Sequence, residues 1–559
     1  MALPERVFAG GVQEVVRRRL NRVPMRARPL LRLAAVAGRE LDLDVLWSLA
    51  PKVDLNAWLH TCADVAVLEA EGERWRFTHH KLRQGALDAL PEAARPRLHR
   101  QVAETIETVY PDAPEQVATL AHLWGVAGEM DKERHYARLA GEQAVRHSAN
   151  IEAIGHFERA LALLETLPHT PERAEQELTL QIDLGVPVIL TKGHAAPEVE
   201  RVYSRARELC RQVGETPQLF PALYGLCTFY VMRGKLQTAR ELAEQIMHLA
   251  QTAQDPALLL EAHRRLGATF YHLGELASAR RHTEQAIALY DPRQHRSHAF
   301  LYGHGPAVSC LSYAAFALWL LGYPDQALKR THELLTLAQE LSHPFSLGYA
   351  LAIAGTQLHQ FRGEVQTVRE WAEAAIALST EHGFPLWLGM GTVMRGWALA
   401  EQGQVEEGIA QMHEGLVTLQ ATGAKMLRLY SLLSLAETYG KVGQAAEGLH
   451  LVAEALAAVD ETGQRCWWPD LYRLKGELLL MQGEAETIVE ACFQRAIEIA
   501  RRQSAKSLEL RAAASLSRVW QKQGKRKEAR ELLAGIYDWL TEGFGMADLK
   551  EAKALLDEL

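Results

Sequence analysis

The side chains with the clearest potential for metal chemistry are four histidines followed by a cysteine. They are His282, His295, His298, His304 and Cys310. Imidazole and thiolate groups bind zinc well, but only where several of them converge at helical or finger-like spacing. The histidines are separated by 13, 3 and 6 residues, and these intervals fit no common zinc template. We therefore interpret the segment as a histidine-rich surface loop and predict no metal site.

The other reactive residues do not indicate catalysis. The cysteines are scattered without a CxxC pair, which favours small core residues over a zinc or disulfide framework. A P-loop needs GxxxxGK followed by Ser or Thr, so that backbone amides and the lysine can hold phosphates. The chain contains no such run, and no catalytic triad can be argued from spacing. We expect a protein that is not an enzyme, with no catalytic residue and no cofactor.

The elements that would position a binding site repeat along the chain. A glycine followed five residues later by a small or apolar residue occurs at Gly234, Gly274, Gly322, Gly363, Gly403, Gly443, Gly483 and Gly524, with Gly193 as a looser first member. Successive glycines lie 40 or 41 residues apart, except for one interval of 48. A fixed period of this length is typical of stacked helical hairpins.

Within each repeat the apolar residues fall three and four apart, which predicts helices and not strands. Glycine can adopt the left-handed backbone that ends the first helix, and the small residue lets the second helix approach the first. The pattern resembles a long-loop form of the tetratricopeptide repeat, whose usual length is about 34 residues. The sequence therefore predicts an all-α fold built on an α-solenoid of tetratricopeptide-like hairpins.

A stacked array presents its first helices as a concave surface. The repeat register places ten residues there: Tyr224, Arg264, Tyr271, Phe316, Trp319, Trp397, Arg473, Glu477, Arg511 and Arg518. We predict that a protein or peptide partner binds in this groove. Trp467 and Trp468 are interpreted as a loop between hairpins that packs on its neighbour, with an exposed anchor for a partner as the alternative.

The first 110 residues have a different pattern. Residues 1–40 carry nine arginines against three glutamates. Apolar helices are predicted at 30–37, 43–49 and 55–65, and residues 67–77 alternate about Gly72 as a β-hairpin does. Three helices followed by a two-stranded wing are typical of a winged helix, which leaves a transcription regulator as an alternative. The candidate recognition helix, 55–65, offers Asn56, His60 and Thr61. Because Asp54 just before it and Asp64 within it would repel phosphates, we do not expect nucleic-acid binding.

Several short segments carry a resemblance to a family. They are 30–38 (LLRLAAVAG), 75–83 (WRFTHHKLR), 97–99 (RLH), 474–479 (LKGELL), 496–501 (AIEIAR), 506–513 (KSLELRAA) and 541–544 (TEGF). In their order they resemble the winged-helix and tetratricopeptide region of signal-transduction ATPases with numerous domains, in the branch linked to class III nucleotide cyclases. In that family a P-loop ATPase precedes the winged helix. The resemblance implies that this chain begins just after the ATPase, as a standalone derivative, a split gene product or a truncated piece.

The resemblance also gives His79 a role. In related ATPases a histidine at this place contacts the phosphates of bound ADP and helps to hold the inactive state. Imidazole suits that contact because it can donate a hydrogen bond and carry charge near neutral pH. The alternative is a histidine that caps the wing and is buried against Phe77 and Leu82. His80 stands where relatives often have an acidic residue.

Composition and patterning complete these expectations. The net charge of −8 gives no overall attraction to nucleic acid. The amino terminus lacks a signal-peptide pattern and residues 311–321 are too short to span a bilayer, so we expect a cytoplasmic protein without membrane contact. The expected domains are a winged-helix domain with a basic amino-terminal helix at 1–110, a helical linker with the first hairpins at 111–180, the repeat array at 181–535 and a capping helix at 536–559.

These features predict a non-catalytic sensor or scaffold that binds other proteins within a signalling ATPase or cyclase system. The alternative is the sensor half of a split ATPase or adenylate cyclase whose catalytic domain is encoded separately. In that case a separate P-loop ATPase or cyclase domain would be a partner.

Overall fold

The computed structural model describes residues 5–72, 74–111, 114–214 and 216–559. They form two compact units that divide between His169 and Thr170. This division lies inside the segment 111–180 that the sequence assigns to a linker and the first hairpins. No helix in the described ranges is long and apolar enough to cross a membrane.

The described residues of the first unit form nine α-helices and a small sheet. The helices are α1 (Glu5–Arg22), α2 (Arg28–Ala37), α3 (Leu43–Leu49), α4 (Leu55–Asp64), α5 (His80–Asp88), α6 (Arg95–Val109), α7 (Val117–Ala127), α8 (Met130–Arg146) and α9 (Asn150–Glu165). The strands are β1 (Glu40–Leu41), β2 (Leu68–Glu71) and β3 (Arg74–Phe77), which form an antiparallel sheet in the order β1-β3-β2.

The hairpin predicted around Gly72 is present. β2 and β3 pair with Leu68 opposite Phe77, and Gly72 takes a φ of +64° in the turn. Residues with a Cβ atom rarely adopt that backbone conformation, so glycine suits the turn. The two-residue strand β1 was not predicted, because it is too short to show an alternating pattern.

The apolar residues that predicted the first helices form the core of this unit. Leu30 and Leu31 on α2 and Phe77 on β3 are buried. Trp58 on α4 is buried as well, and its Nε1–H donates to the carbonyl oxygen of Ala27 at 3.0 Å. A buried indole therefore has a partner for its single polar atom.

The second unit contains nine helical hairpins in its described residues. Their helices are α10 (Pro171–Lys192) with α11 (Pro197–Val213), α12 (Leu219–Met232) with α13 (Leu236–Ala253), α14 (Pro256–Leu273) with α15 (Leu276–Leu289), and α18 (Pro306–Leu320) with α19 (Pro324–Leu341). Two short helices, α16 (Pro292–His295) and α17 (His298–Tyr302), lie between α15 and α18 and account for the one long interval.

The later hairpins continue the same arrangement. They are α20 (Pro344–Tyr349), a π-helical turn (Ala350–Gly355) and α21 (Thr356–Phe361) with α22 (Val365–His382), then α23 (Pro385–Glu401) with α24 (Val405–Ala421), α25 (Lys425–Lys441) with α26 (Ala445–Thr462), α27 (Trp468–Met481) with α28 (Glu486–Gln503), and α29 (Lys506–Lys522) with α30 (Arg526–Tyr537). The terminal helix is α31 (Ala547–Glu558).

The glycines of the repeat pattern end the first helices as predicted. All nine have a positive φ, from +72° at Gly363 to +94° at Gly322. The α-solenoid of helical hairpins is therefore confirmed.

Hairpins that are distant in sequence also meet within the second unit. The Arg465 amide donates to the His272 carbonyl at 2.8 Å. The Glu542 carboxylate accepts from the Asp325 and Gln326 amides at 3.0 and 3.1 Å, although the partners are 217 and 216 residues apart. The third and fourth hairpins are thus in contact with the segments that precede α27 and α31, so hairpins several repeats apart meet within the unit.

Candidate partner-binding site

A cavity of about 230 Å³ lies among the first helices of the second unit. We call it the inner cavity. Its walls come from α18, α21, α23, α25, α27 and α29, together with the start of α31. Its aromatic lining residues are Trp319, Phe361, Trp397, Tyr430 and Trp467, and its charged lining residues are Glu401, Glu437, Lys441, Asp470, Arg511 and Asp548. The site therefore combines a large apolar wall with fixed charges, as ligand sites commonly do.

The aromatic side chains pack on one another across four hairpins. Trp319 stacks on Phe361 with ring centroids 4.0 Å apart, and Trp467 lies 5.4 Å from Phe361 and 5.1 Å from Tyr430. The Tyr430 hydroxyl donates to the Gln360 side-chain oxygen. The packing predicted for Trp467 between hairpins is present, and this side chain is only 3% exposed. Such contacts hold the rings in place and make the wall preorganised.

Asp470 joins the two arginines beside this wall. It is 3% exposed, and its carboxylate accepts from Arg473 Nε at 2.5 Å and from Arg511 Nη1 at 3.0 Å. Burial acts to raise the pKa of Asp470, but the positive charges of Arg473 and Arg511 outweigh it and lower the pKa below its usual value. Asp470 is therefore a fully paired carboxylate within the protein.

Arg511 is shared among three carboxylates. Besides Asp470, its Nη2 lies 3.3 Å from Glu437 Oε1 and its Nε lies 3.7 Å from Asp548 Oδ2. Burial raises the pKa of Asp548, and the charges of Arg511 and Arg473 oppose this shift only in part. The terminal helix α31 thus brings a weakly compensated carboxylate to the inner cavity.

Arg473 and Glu477 lie behind the cavity wall and complete the ionic cluster. Arg473 Nη1 donates to Glu477 Oε2 at 2.7 Å, and the Ser515 hydroxyl donates to Glu477 Oε1 at 2.7 Å. Burial acts to raise the pKa of Glu477, but the charge of Arg473 and the hydrogen bond from Ser515 lower it overall. At the rim, Lys441 and Glu401 form a separate ion pair at 2.5 Å.

The structure distributes the ten predicted groove residues over several places. Trp319, Trp397 and Arg511 line the inner cavity, and Arg473 is 5% exposed next to it. Glu477 and Arg518 line a second cavity of about 440 Å³, where Arg518 pairs with Glu551 at 2.9 Å.

The four earlier groove residues are buried in the aromatic interior. Tyr271 and Phe316 pack together with ring centroids 5.7 Å apart. The Arg264 guanidinium lies 5.3 Å from the ring centroid of Tyr224 and pairs with Glu261 at 3.1 Å. All four predicted residues are at most 3% exposed. Their role in binding a partner stays a prediction.

The prediction of a histidine-rich surface loop is wrong. His295, His298 and His304 are buried, because α16 and α17 place them against other hairpins. His298 Nδ1 lies 2.9 Å from Glu261 Oε1, and His304 Nε2 lies 3.2 Å from His194 Nε2. The sequence could not indicate this, since these partners come from distant helices. In the described part of the chain, no three potential metal-ligating side chains converge.

His79 is exposed at the start of α5. The alternative interpretation, in which it is buried against Phe77 and Leu82, does not match this position. Its Nδ1 accepts from the Lys81 amide at 3.1 Å, and its ring lies 4.3 Å from that of His80. Because Nδ1 is an acceptor, the neutral ring carries its proton on Nε2.

On α4, Asn56 and His60 of the candidate recognition helix are exposed.

Sequence reasoning missed most of the residues of the inner cavity. Tyr430 and Asp470 stand 13 residues before the turn glycines of their hairpins, as Arg511 does. This shared position was a usable signal. Asp548 had no such signal, because it follows the last repeat and reaches the cavity only through the packing of α31 against α29.

No protein-family model matches the chain. An uncharacterized protein of Rhizobium meliloti (strain 1021) is 25% identical over 502 residues, which cover 88% of this chain and 48% of that protein. The chain thus spans about half the length of this relative.

Two solved structures align with large parts of this chain. One is a Rap protein complexed with Competence and Sporulation Factor, with a TM-score of 0.50 and 12% identity, over 67% of this chain and 99% of that chain. Another is a signal-transduction ATPase with numerous domains and a tetratricopeptide repeat sensor from Pyrococcus horikoshii, with a TM-score of 0.35 and 10% identity, over 91% of this chain and 68% of that chain. The likeness to the Rap protein shows a shared helical-repeat fold.

Proposed function

We propose that this chain is a non-catalytic regulatory module that binds a protein or peptide partner in the inner cavity of its repeat array. The observation that carries this proposal is the cavity itself, where the first helices of six hairpins and α31 bring together five aromatic side chains and six charged ones. Preformed aromatic walls with a few fixed polar groups favour binding at low cost in conformational entropy. The Rap protein of the same fold was solved with Competence and Sporulation Factor bound.

Asp470 suits a structural role better than catalysis. Arg511 forms an ion pair with Asp470, and Lys441 forms an ion pair with Glu401. A general acid or base needs a perturbed pKa together with access to a substrate, whereas Asp470 is enclosed and its pKa is lowered by the arginines. These side chains position the walls and give the cavity its charge.

We also propose a signalling ATPase or cyclase system as the setting of this module, either as a regulator or as the sensor half of a split enzyme. The order of three helices and a hairpin in the first unit supports a winged-helix role there. The exposed His79 supports a contact with the phosphates of a nucleotide, because its Nε2–H can donate to phosphate.

The role of His79 is tested by NMR with ADP as the probe. We expect ADP to shift the imidazole Cε1–H resonance of His79 more than that of His60, which is also exposed in the first unit. Equal shifts at both histidines would contradict the nucleotide contact.

The binding role is tested by selecting random dodecapeptides on the whole chain by phage display. Ala547 is exposed at the cavity wall, so Ala547→Trp should fill the cavity without disturbing the core. We expect the selected peptides to bind Ala547→Trp at least about tenfold more weakly, since a central contact site is lost.

The matched control is Ala554→Trp, because Ala554 is exposed on the same helix outside the inner cavity. It should bind the selected peptides as the wild type does. Failure to select any peptide, or equal loss of binding in both variants, would contradict the proposal.

A further inference from the structure

Negative side chains outnumber positive ones around the inner cavity. The connected cluster contains four carboxylates, Glu437, Asp470, Glu477 and Asp548, but its guanidinium groups are only those of Arg473 and Arg511. The rim pair of Lys441 and Glu401 adds no net charge. When all four carboxylates are ionised, the cluster lacks two positive charges, and a buried excess of one sign is unfavourable.

Two of the four carboxylates remain open to a ligand. The Glu437 and Asp548 side chains are 27% and 28% exposed and both line the cavity, whereas Asp470 is 3% exposed. They contact Arg511 only at 3.3 and 3.7 Å, which is long for a charge-assisted hydrogen bond. Oxygen atoms of Glu437 and Asp548 are therefore free to accept from a second cation.

The aromatic wall suits the same kind of ligand. Trp397, Tyr430 and Trp467 line the cavity together with these carboxylates, and ring faces attract ammonium and guanidinium groups, most strongly when water is excluded. An acidic ligand would instead meet a surplus of carboxylates. Trp319 is part of this wall, and its buried Nε1–H has no hydrogen-bond acceptor in the described part of the chain. The carbonyl oxygen of a peptide bond is such an acceptor.

We propose that the inner cavity takes a positively charged group of a bound peptide, an amine or a guanidinium, between Glu437, Asp548 and the aromatic wall. The inference rests on the proposed peptide-binding function and names the chemistry of the ligand at that site. Burial raises the pKa of Asp548, and the nearby arginines compensate its negative charge only in part. This is expected of a carboxylate that would pair with a bound cation.

Three pools of fluorescein-labelled heptapeptides test this assignment by fluorescence polarisation. All are amidated, carry random Ala, Ser, Leu and Gly residues, and differ only in a fixed central residue, which is Arg, citrulline or Glu. Citrulline keeps the shape of Arg without its charge. We expect the Arg pool to bind the wild type about tenfold more tightly than the other two, because a charge-assisted contact and a cation–π contact are both lost.

The double variant Glu437→Gln, Asp548→Asn should reduce the preference for Arg to about twofold or less, since the shape of the site is kept and its charge is removed. The control is Glu461→Gln, which changes an exposed carboxylate outside the inner cavity and should keep the full preference. Amide exchange of α27 and α29 confirms that each variant is folded.

The outcomes separate the two proposals. Binding that is equal for the three pools but lost in Ala547→Trp would support the peptide-binding function and overturn the cationic ligand. A preference for Arg that survives in the double variant, or tighter binding of the Glu pool, would also overturn it. Failure of all three pools to bind would count against both.

Discussion

At the scale of single residues, Asp470 is the centre of the site. Among the described residues, Asp470 is the only carboxylate that accepts hydrogen bonds from both Arg473 and Arg511. Removing Asp470 would take away the one carboxylate that both guanidinium groups share, and each of them would keep only its other carboxylate contacts. The inner cavity should therefore depend on Asp470 for its structure and on Glu437 and Asp548 for its selectivity.

The variant Asp470→Ala should destabilise the hairpin of α27 and α28 by about 1–3 kcal/mol, because two buried guanidinium groups lose the hydrogen bonds to their shared carboxylate. Hydrogen exchange of the α27 and α29 amides measures this change locally. Asp557→Ala is the control, since Asp557 forms an exposed pair with Lys553, and its effect should stay below about 0.5 kcal/mol. Similar protection factors in the two variants would contradict the structural role of Asp470.

At the scale of helices, α23 and α24 approach each other closely through glycines. A Cβ atom built on Gly396 would lie 2.5 Å from the Gly408 carbonyl oxygen, which belongs to the backbone and cannot move aside cheaply. Gly389 and Gly415 repeat the arrangement two turns away. Here glycine is required by the distance between two helices and not by its own backbone angles.

We expect Gly396→Ala to destabilise this hairpin by about 2 kcal/mol or more, because the added methyl group overpacks the helix contact. Gly155→Ala is the matched control, since Gly155 is exposed within α9 and an added Cβ meets nothing within 4 Å. It should stabilise α9 by about 0.5–1 kcal/mol through helix propensity alone. Local hydrogen exchange distinguishes the two signs, and a stabilising Gly396→Ala would contradict the observed packing.

At the scale of the second unit, contacts join its fourth hairpin, at the start of α19, to the segment between α30 and α31. Glu542 accepts hydrogen bonds from the first amides of α19, and the Asp325 side chain accepts from the Gly543 amide at 3.0 Å. These reciprocal contacts place a negative charge at a helix amino terminus, where the helix dipole favours it.

Glu542→Ala should therefore speed the hydrogen exchange of the Asp325 and Gln326 amides, since the loss of such a cap costs about 0.5–2 kcal/mol. Glu531→Ala serves as the control, because Glu531 is 68% exposed and lies 3.8 Å from Lys527. Unchanged exchange at α19 in Glu542→Ala would show that these contacts do not hold the hairpins together.

Buried histidines make the same unit sensitive to acid. Burial lowers the pKa of His194 and of His272 to about 3, with the arginine charges adding to the shift. The unfolded chain binds a proton at each histidine below about pH 6.5, while the folded chain does not do so until about pH 3. Their contribution to stability is therefore complete above pH 6.5 and is lost as the pH falls toward 3.

We expect stability to fall by about 2 kcal/mol per buried histidine between pH 7 and pH 5. Hydrogen exchange at pH 7 and at pH 5 measures the free energy of unfolding at each pH, and the difference between the two values gives its slope with pH. His272→Gln should reduce it by the share of one histidine, whereas a change at the exposed His248 to Gln should leave it unaltered. An equal slope in wild type and His272→Gln would contradict the buried neutral state.

The helical hairpins, their period and their turns could be predicted from the sequence, because they depend on local periodicity and on glycines such as Gly443 that take a positive φ. It also indicated part of the site, since Trp319, Trp397 and Arg511 follow the repeat register. The position of Asp548 at the inner cavity and the burial of His304 against His194 could be seen only in the folded chain. Those contacts join helices far apart in the chain, and the small curvature added by each hairpin, which has no signature in local sequence, decides which helices meet.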